Sequence, residues 1–63
     1  MIEVTMWLTA YPEIIETRQV HPLDGFEDTD IDDAIHAFCV SNGITYTPDA
    51  IERHMKYSVN YAA

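Results

Sequence analysis

Basic residues are scarce. Lys and Arg together number 3 in 63 residues, against 11 Asp and Glu, for a formal net charge of −8. Between Arg18 and Arg53 there is no Lys or Arg at all, while that stretch carries eight carboxylates. A basic patch is the electrostatic footprint of a nucleic-acid binder, and its absence argues against direct contact with nucleic acid. The same charge disfavours anionic membrane surfaces. Cysteine is nearly missing: Cys39 is alone, which excludes an internal disulfide framework. Glycine occurs only at Gly25 and Gly43, so no Gly-rich phosphate loop exists. No apolar run approaches the roughly 20 residues of a membrane span. Met1-Ile2-Glu3-Val4 opens without a charged-then-apolar leader, so no secretory signal is read and a cytoplasmic location is the expectation.

What is present is enough for one small globular domain spanning 1–63. Apolar residues make up 48%, too many for a disordered chain despite the charge. A core this small seldom supplies more than about 3–5 kcal/mol. With no disulfide available, self-association into a homodimer is the natural staple. So small a core also has little room for a catalytic pocket with a supporting shell, and a non-enzymatic role without cofactors is the expectation.

Residues 2–10 alternate: Ile2, Val4, Met6, Leu8 and Ala10 take one face, Glu3, Thr5, Trp7 and Thr9 the other. That period of two predicts a half-buried strand. Tyr11-Pro12-Glu13 interrupts it as a turn, and residues 14–20 predict a second strand that closes a β-hairpin. A helix should begin within residues 24–33, capped by Thr29 or Asp30. Ile31, Ala34, Ile35, Phe38 and Cys39 then recur at i, i+3, i+4, i+7 and i+8 as one apolar stripe. Asn42-Gly43 ends this helix, with Gly43 in the left-handed conformation and Ile44 folding back on the last turn. Residues 44–46 form a link or a short third strand. Thr47-Pro48 opens a second helix, with Ile51, Met55, Ser58, Val59 and Ala62 along one face. Asp49–Arg53 and Glu52–Lys56 are i,i+4 pairs in the favourable order. The predicted fold is α+β: an N-terminal hairpin packed by two helices. Its predicted core is Ile2, Val4, Met6, Leu8, Ile31, Ile35, Phe38, Ile51, Met55 and Val59.

The strongest chemical feature is the acidic stretch. Asp24, Glu27, Asp28, Asp30, Asp32 and Asp33 fall within ten residues that contain no base. As a carboxylate row they would imitate a phosphate backbone and occupy the Lys/Arg surface of a nucleic-acid-handling protein. In an extended segment, residues two apart share a side at roughly 6.6–6.8 Å. The competing explanation is that acids in a first helical turn complement the helix dipole. That accounts for Asp30, Asp32 and Asp33. It leaves Asp24, Glu27 and Asp28 unexplained, and crowding like charges costs self-repulsion.

Other chemistries fit less well. Asp28-x-Asp30-x-Asp32 opens like a calcium-binding EF-hand loop, but its sixth position is Asp33 rather than Gly and its twelfth is Cys39 rather than Glu. Zinc would need His21 and His54 to converge on His36 and Cys39. A Cys39–His36 nucleophile lacks the electropositive setting a reactive thiol needs. Helix, Asn42-Gly43-Ile44, second helix is the layout of a helix-turn-helix, with Arg53, His54 and Lys56 on the recognition helix; the acidic run would then face phosphate. Trp7 sits on the polar face of the first strand. Exposed aromatics of this size often anchor interfaces; Tyr11, Tyr57 and Tyr61 would extend the patch, unless a helix covers Trp7 or it shields the hairpin beside Arg18.

These readings converge on an acidic inhibitor or regulator that binds a basic surface of a nucleic-acid-binding protein. Its binding residues would be Asp24, Glu27, Asp28, Asp30, Asp32, Asp33 and Trp7. In size and charge the chain is similar to phage-encoded inhibitors of host nucleases, restriction systems, CRISPR effectors (the anti-CRISPR proteins) and polymerases. The resemblance covers no aligned residues; what it implies is occlusion of a basic groove by a DNA mimic. The rivals are an aromatic-anchored adaptor or oligomer subunit built on Trp7, and a helix-turn-helix DNA-binding regulator.

Overall fold

The computed structural model describes residues 1–21 and 27–61, with Glu27 described in its backbone only. Its elements run β1 (Ile2–Leu8), β2 (Ile15–Val20), α1 (Glu27–Ser41), α2 (Pro48–His54) and β3 (Met55–Tyr61). The strands form one antiparallel sheet in the order β2-β1-β3. This is a small α+β fold, as the hydropathy pattern predicts, but with a third strand where the sequence suggested helix.

The hairpin follows from its turn. The Ile14 amide donates to the Tyr11 carbonyl at 2.9 Å, closing a four-residue turn with Pro12 at the position that suits its fixed φ. Ile2 then pairs with Val20 and Trp7 with Ile15. On its other edge β1 pairs with β3, Leu8 facing Met55 and Ile2 facing Tyr61. Partners opposite each other point to the same side of a sheet. Ile2, Val4 and Met6 therefore share a face with Val20, Met55 and Val59.

That face is the core. Ile2, Val4, Met6, Val20 and Met55 are buried there against Ile31, Ala34, Ile35, Phe38 and Cys39 of α1. Leu8, Ile44, Ile51 and Val59 pack around them, partly exposed. Every predicted core residue belongs to this cluster; Val20, Ala34, Cys39 and Ile44 complete it.

Three local expectations are corrected. First, α1 has already started at Glu27, so Thr29 and Asp30 lie inside its first turn instead of capping it. Second, residues 44–46 make no strand; they pass directly into α2. Third, the second helix stops at His54. From Met55 on, Met55, Tyr57, Val59 and Tyr61 alternate with Lys56, Ser58 and Asn60, and this period of two matches the free edge of β1. Tyr and Val also favour strands over helices. Lys56 is thus a strand residue, and the i,i+4 pairing of Glu52 with Lys56 does not form. Ala62 lies outside the described residues.

The two helix boundaries around the link match their residues. Ile44 N donates to the Cys39 carbonyl at 2.9 Å and Gly43 N to the Val40 carbonyl at 3.5 Å, the paired bonds of a Schellman end. Gly43 has φ of +70°, and a Cβ there would meet nothing within 4 Å. Gly43→Ala should therefore cost only backbone strain, about 1–2 kcal/mol, read as a lowered Tm. Thr47 caps α2 by accepting from the Ala50 amide at 3.3 Å, and Pro48 follows in the first turn.

Candidate functional site

The acidic residues sit on a helix, not on an extended strand, and this changes their spacing. Asp28 and Asp32 are four apart and so neighbours on one side of α1. Asp33 is about 100° further round. All three are exposed, while Asp30 is half-buried. The 15 residues of α1 include no Lys or Arg, and its last turn carries no basic residue. Asp24 lies outside the described residues, and so does the side chain of Glu27. On α1 Asp28 therefore neighbours Asp32, and Asp30 neighbours Asp33; Asp28, Asp32 and Asp33 are exposed on the outer surface, and Asp30 is half-buried at its edge.

Trp7 lies elsewhere. Glu3, Thr5 and Trp7 point to the sheet face opposite the core, and the core cluster takes residues from both helices. Among the described elements, no helix covers the Trp7 face. There Trp7 is half-buried between Ile15 and Lys56, its partners on the two neighbouring strands. Ile15 is 59% exposed, and beside this pair the Thr5 and Thr17 hydroxyls lie 3.1 Å apart. Arg18 pairs with Val4 on the other face, so Trp7 does not shield it. Tyr57 and Tyr61 oppose Met6 and Ile2, which puts them on the helix side too, and the aromatic patch expected around Trp7 does not include them.

None of the three Lys and Arg residues forms an ion pair with an acid of α1 among the described residues. Arg18 Nη2 lies 3.3 Å from Glu16 Oε2, a half-exposed pair worth about 0–1 kcal/mol. It is the ion pair found among the described residues; Asp49 and Arg53 do not close one. For the helix-turn-helix layout, α2 is one of seven residues bearing Arg53 and His54, and Lys56 is on β3.

His36 and Cys39 do different jobs. The His36 ring stacks on Tyr46 with centroids 4.4 Å apart. Cys39 is buried, its thiol directed at Met55 Sδ at 3.6 Å. Among the described residues, no group of three His, Cys, Asp or Glu side chains is placed to hold a metal. Burial pushes the Cys39 thiol above its ordinary 9.0. Native protein should therefore react with iodoacetamide far more slowly than urea-unfolded protein at pH 8, as followed by mass spectrometry; equal rates would mean the thiol is accessible. As pH rises past 9.0 the unfolded chain loses this proton first, so stability falls there.

One concave feature was not visible in the sequence. A groove of about 470 Å³ lies between α1, α2 and β3. Its apolar part comes from Ile35, Ile51 and Met55, and Asp32 and Glu52 border it from different helices. Tyr46 and Tyr57 line it as well, 43% and 49% exposed. The Tyr46 hydroxyl reaches the Asp32 carbonyl at 3.5 Å. Burial chiefly, then the charges of Asp32, Cys39 and Asp33, raise its pKa above 10.0, so it remains a neutral donor in a negative setting. The residues are separated by up to 25 positions in the chain, and only the α2–β3 junction brings Tyr57 to face Asp32.

Compared with known proteins, the chain matches no family model, no curated protein and no solved structure.

Proposed function

We infer that the protein is a non-enzymatic inhibitor or regulator that binds the basic surface of a nucleic-acid-handling protein, such as a nuclease, a restriction or CRISPR effector, or a polymerase. The observation that carries this reading is the outer surface of α1, where Asp28, Asp32 and Asp33 are exposed on a helix without Lys or Arg. A net charge of −8 on so small a body produces a field that steers it towards a positive groove and away from nucleic acid itself. Bound there, it acts by occlusion, and no bond is made or broken. The test is capture from an extract of the cells that make the protein, washed at rising salt. The expected partner is a nucleic-acid-handling protein released between low and high salt, because screening weakens exposed charge pairs. A salt-resistant partner with no basic groove would overturn the reading.

A second reading has its own observation. Trp7 and Ile15 form an apolar pair on an uncovered sheet face, which suits an aromatic-anchored adaptor or a homodimer. Under that reading Trp7→Ala loses the partner, and neutralising the acids of α1 leaves it bound.

A further inference from the structure

The groove between α1, α2 and β3 combines three properties that fit one kind of occupant. Its floor is apolar, from Ile35, Ile51 and Met55, and suits a methylene stem. Two carboxylates, Asp32 from α1 and Glu52 from α2, border it, and both residues are exposed. Two tyrosines, Tyr46 and Tyr57, present about half of their surface beside them. Long cationic side chains bury their stems on apolar surface while the charged head stays in a polar rim. The planar guanidinium of arginine additionally stacks on aromatic rings and binds carboxylates in a bidentate fork, which an ammonium does not. Lys56 is the groove's one cation, so the lining keeps an excess of negative charge. The volume of about 470 Å³ admits a single long side chain with its flanking backbone.

We propose that this groove receives an arginine side chain of the basic partner, held between Asp32 and Glu52 and against Tyr46 and Tyr57. This rests on the reading of the protein as a binder of basic surfaces and sharpens it. The outer acids of α1 attract the partner, and the groove fixes where it sits. Asp32 belongs to both, since it lines the groove and neighbours Asp28 on the helix.

The test is a titration of the ¹⁵N-labelled protein with two blocked tripeptides, acetyl-Gly-Arg-Gly-amide and acetyl-Gly-Lys-Gly-amide, followed by amide chemical shifts. The arginine peptide should move the amides of Tyr46, Ile51, Glu52 and Tyr57 and bind at least threefold more tightly than the lysine peptide. Glu52→Gln should weaken it at least threefold and Tyr57→Ala likewise, whereas Asp33→Asn should change it little. Both groove positions are exposed, and Glu52→Gln keeps the side chain's shape, so a retained fold is checked by the unchanged shifts of β1. Equal responses to the two peptides, shifts confined to α1, or no shift at all would overturn the groove proposal. Each of those results leaves salt-sensitive capture by α1 standing; loss of that capture alone would instead strike the broader reading.

Discussion

Replacing Asp28, Asp30, Asp32 and Asp33 together by asparagine should abolish capture of the basic partner while leaving the protein folded. The change halves the net charge of −8. Electrostatic steering into a charged cleft accelerates association by about 10–10³-fold, and the wild-type advantage should shrink accordingly as salt rises. The fold should tolerate the change because two effects oppose each other. Acids near the start of α1 each stabilise the helix by about 0.3–1 kcal/mol. Packing four of them into six residues costs repulsion that asparagine removes. Circular dichroism checks the fold, and stopped-flow association at 50 and 500 mM salt checks the rate. Full binding by the variant would mean that the acids only solubilise the chain, and the Trp7 face would then become the binding surface.

Phe38→Ala should unfold the domain outright. Phe38 is 2% exposed and is the largest of the fully buried side chains, in one cluster with Val4, Met6, Cys39 and Met55. Truncating a buried phenylalanine costs about 3–5 kcal/mol. A core of this size supplies about the same amount in total, and no disulfide supports it. Val40, two residues on and 70% exposed, provides the control: Val40→Ala should stay within about 0.5 kcal/mol of wild type. Dispersed amide resonances should collapse for Phe38→Ala and persist for Val40→Ala. A folded Phe38→Ala protein at ordinary temperature would point to a second source of stability, with self-association the first to examine.

Where one residue pattern had one solution, the sequence was readable. Alternation from Ile2 to Leu8 admits only a strand. The stripe from Ile31 to Cys39 admits only a helix, and Gly43 and Thr47-Pro48 mark the ends that flank the link. The segment from Met55 to Tyr61 was different, because it satisfies both periods. Met55 and Val59 are four apart, as on a helix, and Glu52 with Lys56 would have supported that helix. Yet Met55, Tyr57, Val59 and Tyr61 also alternate. The choice is made by the open edge of β1, which lies some fifty residues away in the chain and which no local window contains. The start of α1 was hidden for a related reason: several adjacent Asp and Thr residues are all acceptable caps, so composition does not single one out.

The candidate site was legible in the same uneven way. Exposure of the acids follows from the apolar stripe, since positions off that stripe face solvent. Their mutual spacing depended on whether they lay on strand or helix. The groove was invisible because Tyr57 was assigned to a helix; once it becomes a strand residue opposite Met6, it turns towards Asp32 and Tyr46. Ile15 was recoverable, because the Pro12 turn sets the hairpin register that places it opposite Trp7.

The central claim is that the acidic surface takes the place of nucleic acid on its partner. Competition measures this directly. The partner recovered by salt elution is loaded with a fluorescent oligonucleotide at moderate salt, and the protein is titrated in while anisotropy is read. The account predicts that the oligonucleotide is displaced to completion at stoichiometric protein, and that the variant lacking the four aspartates displaces none. A stable ternary complex, with anisotropy rising as the protein is added, would contradict it.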